Sequence, residues 1–289
     1  MHRRLLLLFV LLIPLAVFAA MVGAGRSFGR PGRGYGYVIR FELPPVDRQT
    51  GLPKILGPAD LSRPLVVIDP GHGGKDPGAG AGALKEKSLT LALELALRDE
   101  LLAKGGVRVA LTRDDDSYVL LPERSAIARR LDADLFISIH ADSTDGDGSA
   151  SGATIYTLSA KGSNEAAERI ALRENAADVI NGVKLREQSD LVGAILVDLS
   201  QRETQSRSEQ FARLILREGE GRMVFRERSE QSAAFAVLKA PDMPSVLFES
   251  GYINNPADAA RLSSVAGRKS FAEINDRAIR VFFARMSGQ

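Results

Sequence analysis

The sequence predicts an α/β fold: a mixed β-sheet flanked by helices, with a helical insertion mounted on that core. Three observations carry this. First, Leu65–Ile68, Leu135–Ile139 and Ser245–Phe248 are short and almost wholly apolar. Such runs are too short for core helices and have no polar face, as expected of strands covered on both sides. Second, the stretches between them repeat leucine and isoleucine at helical spacing, so strands and helices alternate. Third, residues 161–218 are long, charged and helical without an intervening strand, which sets 160–218 apart as an insertion.

Taken in order, the chain opens with Met-His-Arg-Arg and then runs apolar from Leu5 to Ala20, broken only by Pro14. A cationic start, an apolar middle and small residues at Ala19 or Ala24 form a secretory signal pattern, so residues 1–24 are expected to be a signal peptide. The alternative is an uncleaved membrane anchor; either way the remainder faces outside the cytoplasm. Residues 25–62 read as a flexible linker. They are Gly-rich, carry Arg26, Arg30 and Arg33, and offer too little apolar area to offset their ordering entropy. Tyr37–Leu43 could add one short strand.

The catalytic domain is expected over residues 63–289. Leu65–Ile68 is its first strand. A helix follows from Ser88 to Lys104, with leucines on a broad face and Gly105-Gly106 to end it. Val107–Leu111 is a strand, and Pro122–Leu131 a helix with its proline in the first turn. Leu135–Ile139 and Ala153–Leu158 are further strands. After the helical stretch, strands are expected at Ala234–Leu238 and Ser245–Phe248, and a helix from Ser270 to Met286 closes the chain.

Composition narrows the function. The formal charge of the 289 residues is +2, and removal of a signal containing Arg3 and Arg4 takes it to neutral. A chain with no net positive charge is not a general polyanion binder, so nucleic acid is not an expected partner. There are no cysteines, which excludes disulfides, thiolate metal sites and thiol nucleophiles. A monomer is the default expectation.

The chain has three histidines, and His2 lies in the leader. The other two follow predicted strands. His72 stands in Asp69-Pro70-Gly71-His72-Gly73-Gly74 and His140 in His140-Ala141-Asp142. The carboxyl ends of strands are where α/β sheets place their working groups. Two neutral imidazoles with one carboxylate are a common protein ligand set for catalytic zinc, leaving one position for water. Glu86, after the Gly/Ala-rich loop 78–83, is well placed as the third ligand; Asp69, Asp76 and Asp142 compete by proximity. Asp69 and Asp142 could instead orient a histidine by accepting its second ring proton. Zinc hydrolysis also needs a group to carry protons. Glu249, delivered by the apolar run Pro244–Phe248, is the candidate, with a solvated strand end as the alternative.

Four segments, Val67-Ile68-Asp69-Pro70-Gly71-His72-Gly73-Gly74, Leu84-Lys85-Glu86-Lys87, Ser138-Ile139-His140-Ala141-Asp142 and Val246-Leu247-Phe248-Glu249-Ser250-Gly251-Tyr252-Ile253-Asn254-Asn255-Pro256, together resemble the zinc-dependent N-acetylmuramoyl-L-alanine amidases of the type-3 family. The resemblance implies that His72, Glu86 and His140 hold Zn2+, that Glu249 is the catalytic carboxylate, and that peptidoglycan is the substrate. A zinc hydrolase of another amide and a non-catalytic wall-binding scaffold are the competing readings.

Residues 160–218 also resemble the extra helical segment of Gram-negative cell-division amidases, through Tyr156-Thr157-Leu158-Ser159, Arg173-Glu174-Asn175-Ala176-Ala177-Asp178 and Ile195-Leu196-Val197-Asp198-Leu199-Ser200-Gln201. The resemblance implies that this insertion is regulatory. Glu174 would then be an autoinhibitory fourth zinc ligand, released by a coiled-coil division activator protein in the periplasm.

Overall fold

Nothing in Leu-Val-Val-Ile-Asp-Pro needs water except one carboxylate, and the strand it forms, β1 (Leu65–Pro70), is buried at every residue. The structure is a computed structural model that describes residues 51–144, 148–178, 194–240 and 242–287. The signal expected at 1–24, the linker as far as residue 50 and the strand expected at Tyr37–Leu43 lie outside the described residues.

A small antiparallel hairpin, β2 (Gly80–Ala81) with β3 (Leu84–Lys85), leads into helix α1 (Glu86–Lys104). Gly105, at φ 63°, ends that helix and returns its N–H to the carbonyls of Leu101 and Leu102, the cap that glycine favours. Strand β4 (Arg108–Leu111), helix α2 (Leu121–Arg130), strand β5 (Leu135–Asp142) and strand β6 (Ala153–Leu158) follow. Then come α3 (Glu165–Asn175), α4 (Ala194–Gly219), β7 (Phe225–Ala233), β8 (Ser245–Tyr252), α5 (Pro256–Ser263) and α6 (Val265–Ser287).

Six strands form one mixed sheet in the order β4-β1-β5-β8-β6-β7. The first four are mutually parallel; β6 runs antiparallel to β8 and carries β7 parallel to itself. Strand side chains alternate between faces, and β1 divides accordingly. Val66 and Ile68 join a core with Leu89, Leu93, Leu97 and Leu101, a four-residue stripe along α1, and with Phe271, Ile279 and Phe282 of α6. Leu65 and Val67 join a second core with Leu121 and Ala128 of α2 and Ile170 of α3. The result is the expected mixed sheet with helices on both faces.

Three features depart from the sequence expectation. The strand expected at Ala234–Leu238 is instead β7, at Phe225–Ala233, followed by a short 3-10 turn at Ala236–Leu238. Strand β7 sits at the sheet edge, where one side stays wet, so its Arg-Glu-Arg-Ser-Glu-Gln sequence carries no apolar run. The apolar Val237 and Leu238 are buried as part of the turn. Second, the described residues of 161–218 form two α-helices, and the later one is built into the core: Phe211, Ala212, Leu214 and Ile215 of α4 pack in the same cluster as α1 and α6. Third, α5 precedes the closing helix, started by the side chain of Asn255, which accepts from the N–H groups of Ala257 and Asp258. At the far edge, Leu56 exchanges two backbone hydrogen bonds with Val109 of β4 (2.7 and 2.9 Å), so the end of the expected linker lies along the sheet. No described helix is long and apolar enough to cross a membrane.

Candidate metal centre and active site

The parallel neighbours β1, β5 and β8 end at one edge of the sheet, and each brings a polar group to it. After Pro70 the chain turns through Gly71-His72-Gly73-Gly74, with His72 itself at φ 61°. A histidine in the left-handed region needs support from its surroundings. Two buried guanidinium groups provide it. Arg124 donates to the carbonyls of Pro70 and His72 (both 2.8 Å), and Arg113 donates to the carbonyl of Gly71 (2.8 Å). Glycine is required beside the rings. A Cβ on Gly71 would lie 2.5 Å from Cε1 of His140, and one on Gly78 would lie 2.5 Å from Cδ2 of His72.

The two imidazoles meet edge to face with centroids 5.0 Å apart. Glu86, the first residue of α1, places Oε2 3.0 Å from Nε2 of His72 and Oε1 3.1 Å from Nδ1 of His140. Its oxygens also accept from the backbone N–H groups of Ala79 (2.8 Å) and Ala141 (2.9 Å), which fix the carboxylate from two sides. From the opposite direction Glu174, near the end of α3, places Oε2 3.1 Å from Nδ1 of His140 and 3.4 Å from Nε2 of His72. His72, His140 and Glu174 each offer a ligand atom within 4.8 Å of the others, and all three are buried.

This arrangement fits a cation. Nε2 of His72 and Oε2 of Glu174 are buried without a hydrogen-bond partner, although carboxylate oxygens lie close to that nitrogen. Buried polar atoms are normally satisfied. Here the lone pairs converge on one another instead, which is the geometry that a metal ion completes.

The electrostatics agree. Burial alone would lower the pKa of His72, but the carboxylate of Glu86, with Asp76 and Glu174, outweighs it and pushes it up to about 12. Burial likewise opposes, and Glu174 and Glu86 overcome, in raising His140 to about 10. Burial would raise Glu86, yet His72 and His140 hold it at about 2. The same carboxylates that would share a metal ion with the rings thus favour protons on them, and ligation would displace those protons.

Glu249 stands apart from these. It is the direct cross-strand neighbour of His140, and burial pushes its carboxyl well above the ordinary range, with the charge of Asp142 adding to the effect and His140 opposing it. Both of its oxygens lack a hydrogen-bond partner.

His72, Glu86, His140 and Glu174 are thus brought together, with Glu249 on the adjacent strand. The expectation that Asp69 and Asp142 orient the histidines is corrected: neither bonds a ring. Asp69 is consumed by Thr112 (2.5 Å), Ser138 (2.8 Å) and Arg124 (3.0 Å), so it braces the His72 turn through Arg124. Asp142 accepts from Arg173 and from the N–H of Ser143; burial raises it to about 7 while Arg173 opposes. The orienting carboxylate is Asp76, which the sequence offered only as a rival ligand. Its Oδ2 lies 2.8 Å from Nδ1 of His72, and its Oδ1 accepts from Gly78 (3.1 Å). The signal was the four-residue spacing around two glycines, closed by the bridge of Gly73 with Asp76. Arg113 and Arg124 were missed altogether, and Arg173 was read only as part of the segment that carries Glu174, with no role of its own.

Fold and site together define a hydrolase of the α/β class whose buried histidines and carboxylates could hold a metal ion. The chain belongs to the amidase_3 family, N-acetylmuramoyl-L-alanine amidase, whose sequence model matches residues 66–280. It is 39% identical over 210 residues to the N-acetylmuramoyl-L-alanine amidase AmiA of Escherichia coli K12, covering 72% of each chain. It is 38% identical to AmiC of Neisseria meningitidis serogroup B over 73% of this chain and 50% of that protein. Among solved structures, the amidase AmiC2 of Nostoc punctiforme superposes with a TM-score of 0.55 at 30% identity, over 77% of this chain and 98% of that one.

Proposed function

We propose that the protein is a zinc-dependent N-acetylmuramoyl-L-alanine amidase. It hydrolyses the amide between the lactyl group of N-acetylmuramic acid and L-alanine of the peptidoglycan stem peptide. The observation that carries this reading is the meeting of Glu86 with both imidazoles, 3.0 and 3.1 Å away, beside the buried carboxyl of Glu249. Two imidazoles and a carboxylate, without a thiolate, suit zinc. His72, Glu86 and His140 would hold the ion, and Asp76 fixes the orientation of His72. Bound there, zinc supplies a Lewis acid for the scissile carbonyl and lowers the pKa of water.

The other steps belong to side chains. Glu86 stays ionised, whereas the elevated pKa of Glu249 suits a group that takes a proton and gives it back. Carboxylates driven apart in this way divide the roles of ligand and proton carrier. Glu249 accepts a proton from the attacking water and passes it to the departing amine of L-alanine.

Glu174 supports a closed resting state. Its oxygen lies against both imidazoles, where the substrate carbonyl and water would need access. Helix α3 is tied down around it. Arg173 pairs with Asp142, Tyr118 donates to the carbonyl of Ala177 (3.2 Å), and Asn175 bonds the carbonyl of Ala234 and the N–H of Ala236. An activator must therefore bind the open state more tightly than the closed one. A coiled-coil division protein is the proposed partner. The proposed setting is the periplasm, reached through the leader at 1–24, with a role in cell-wall remodelling and daughter-cell separation.

Digestion of purified sacculi in H2(18)O tests the activity. Mass spectrometry should find free stem peptides beginning with an L-alanine amine, and one 18O in the lactyl carboxylate of the glycan. Label in a peptide carboxylate or at a sugar carbon would overturn the assignment.

A further inference from the structure

Across the middle of the sheet edge runs a row of directly paired residues: His140 on β5, Glu249 on β8 and Thr154 on β6. Directly opposed residues point to the same face. That face is identified by the pair two residues further back, Leu247 and Tyr156, both of which lie in the core beneath α2 and α3. Thr154 and Glu249 are 1% and 2% exposed, and neither the Thr154 hydroxyl nor either Glu249 oxygen has a hydrogen-bond partner.

Three unsatisfied polar atoms on two adjacent residues are costly. Stability alone would place valine at 154, since it has nearly the same shape and no hydroxyl to bury. A threonine there makes sense if its hydroxyl is used in a state other than the resting one. A hydroxyl can also serve both forms of a carboxyl group, donating to the carboxylate and accepting from the acid. An ammonium or guanidinium group can only donate.

We infer that Thr154 is a positioning residue for Glu249: its hydroxyl bonds the Glu249 carboxyl as that group gains and loses its proton, holding the other oxygen toward the scissile amide. This rests on the role given to Glu249 in the amidase reading. Thr154 acts through Glu249 and is not itself a catalytic residue.

The test compares Thr154→Val and Thr154→Ser in the full chain, with native Glu174 and with Glu174→Ala. It reads kcat and KM on a muramyl peptide, bound zinc and Tm. Thr154→Val should lower kcat roughly tenfold to a hundredfold, the loss expected for a hydrogen bond to a charged group. KM and zinc content should not change, and Tm should stay level or rise, because an orphan hydroxyl is gone. Thr154→Ser should restore most of kcat. Parental kcat in Thr154→Val, or a serine variant as impaired as the valine one, would overturn the inference. So would a fall in Tm, which would make the hydroxyl a structural group. Parent proteins that cleave nothing would instead overturn the amidase reading; the Tm comparison would still decide on the hydroxyl, a drop counting against it.

Discussion

Arg173 and Asp142 form an ion pair directly beside Glu174, and Arg173 also donates to the carbonyl of Ser143 (2.9 Å). The pair joins α3 to the end of β5, the strand that carries His140. Arg173→Ala should loosen α3 without touching the imidazoles. Hydrogen exchange across residues 165–175 should quicken, and basal amide cleavage should rise several-fold, because local opening exposes the site. Unchanged exchange would mean that this pair does not latch the helix.

Glu249→Gln separates proton transfer from metal binding. Neither oxygen of Glu249 has a hydrogen-bond partner, so no group around the rings relies on it for position and the variant should bind zinc as the parent does. Turnover should fall by about 10²–10⁴, the usual contribution of a positioned acid–base group. Zinc analysis beside muropeptide release decides the matter. Loss of zinc from the variant would give Glu249 a different role.

Asp76→Ala should weaken zinc binding by roughly 10–100-fold, as loss of a carboxylate behind a ligating histidine does. Competition against a chromogenic chelator measures it. The same assay on Asp69→Ala should show a smaller change in affinity, because Asp69 bonds neither ring and braces the His72 turn through Arg124.

That contrast marks how far the sequence could be read. His72 and His140 stood out because each follows an apolar strand, and strand ends gather at one edge; Glu86 and Glu249 were separated from their alternatives only by the four-segment resemblance. Which aspartate orients which ring was not legible. Asp69 is nearer to His72 in sequence than Asp76 is, but as a strand residue it turns into a buried guanidinium, while the positive φ of His72 swings the ring toward Asp76. Strand β7 was illegible for a different reason: an edge strand needs no apolar run, so period and hydropathy had nothing to register. The apolar Ala-Val-Leu that looked like a strand was a buried 3-10 turn.

Zinc uptake by the metal-free protein should release protons. With their pKa values raised to about 12 and about 10, His72 and His140 are protonated at pH 7, and ligation requires them neutral. Calorimetry in buffers of different ionisation enthalpy should therefore detect net proton release, with affinity rising as pH rises. Uptake without proton release would show that the carboxylates do not hold the rings charged.

Whether Glu174 closes a zinc amidase is decided by comparing the full chain with Glu174→Ala on purified sacculi, at matched zinc loading, by muropeptide mass spectrometry. Stem peptides and peptide-free glycan are expected from both, with at least about tenfold faster release from Glu174→Ala, as removal of a dominant closed state requires. Equal rates from the two proteins would contradict the gate, and intact muropeptides from both, with zinc bound, would contradict the amidase itself.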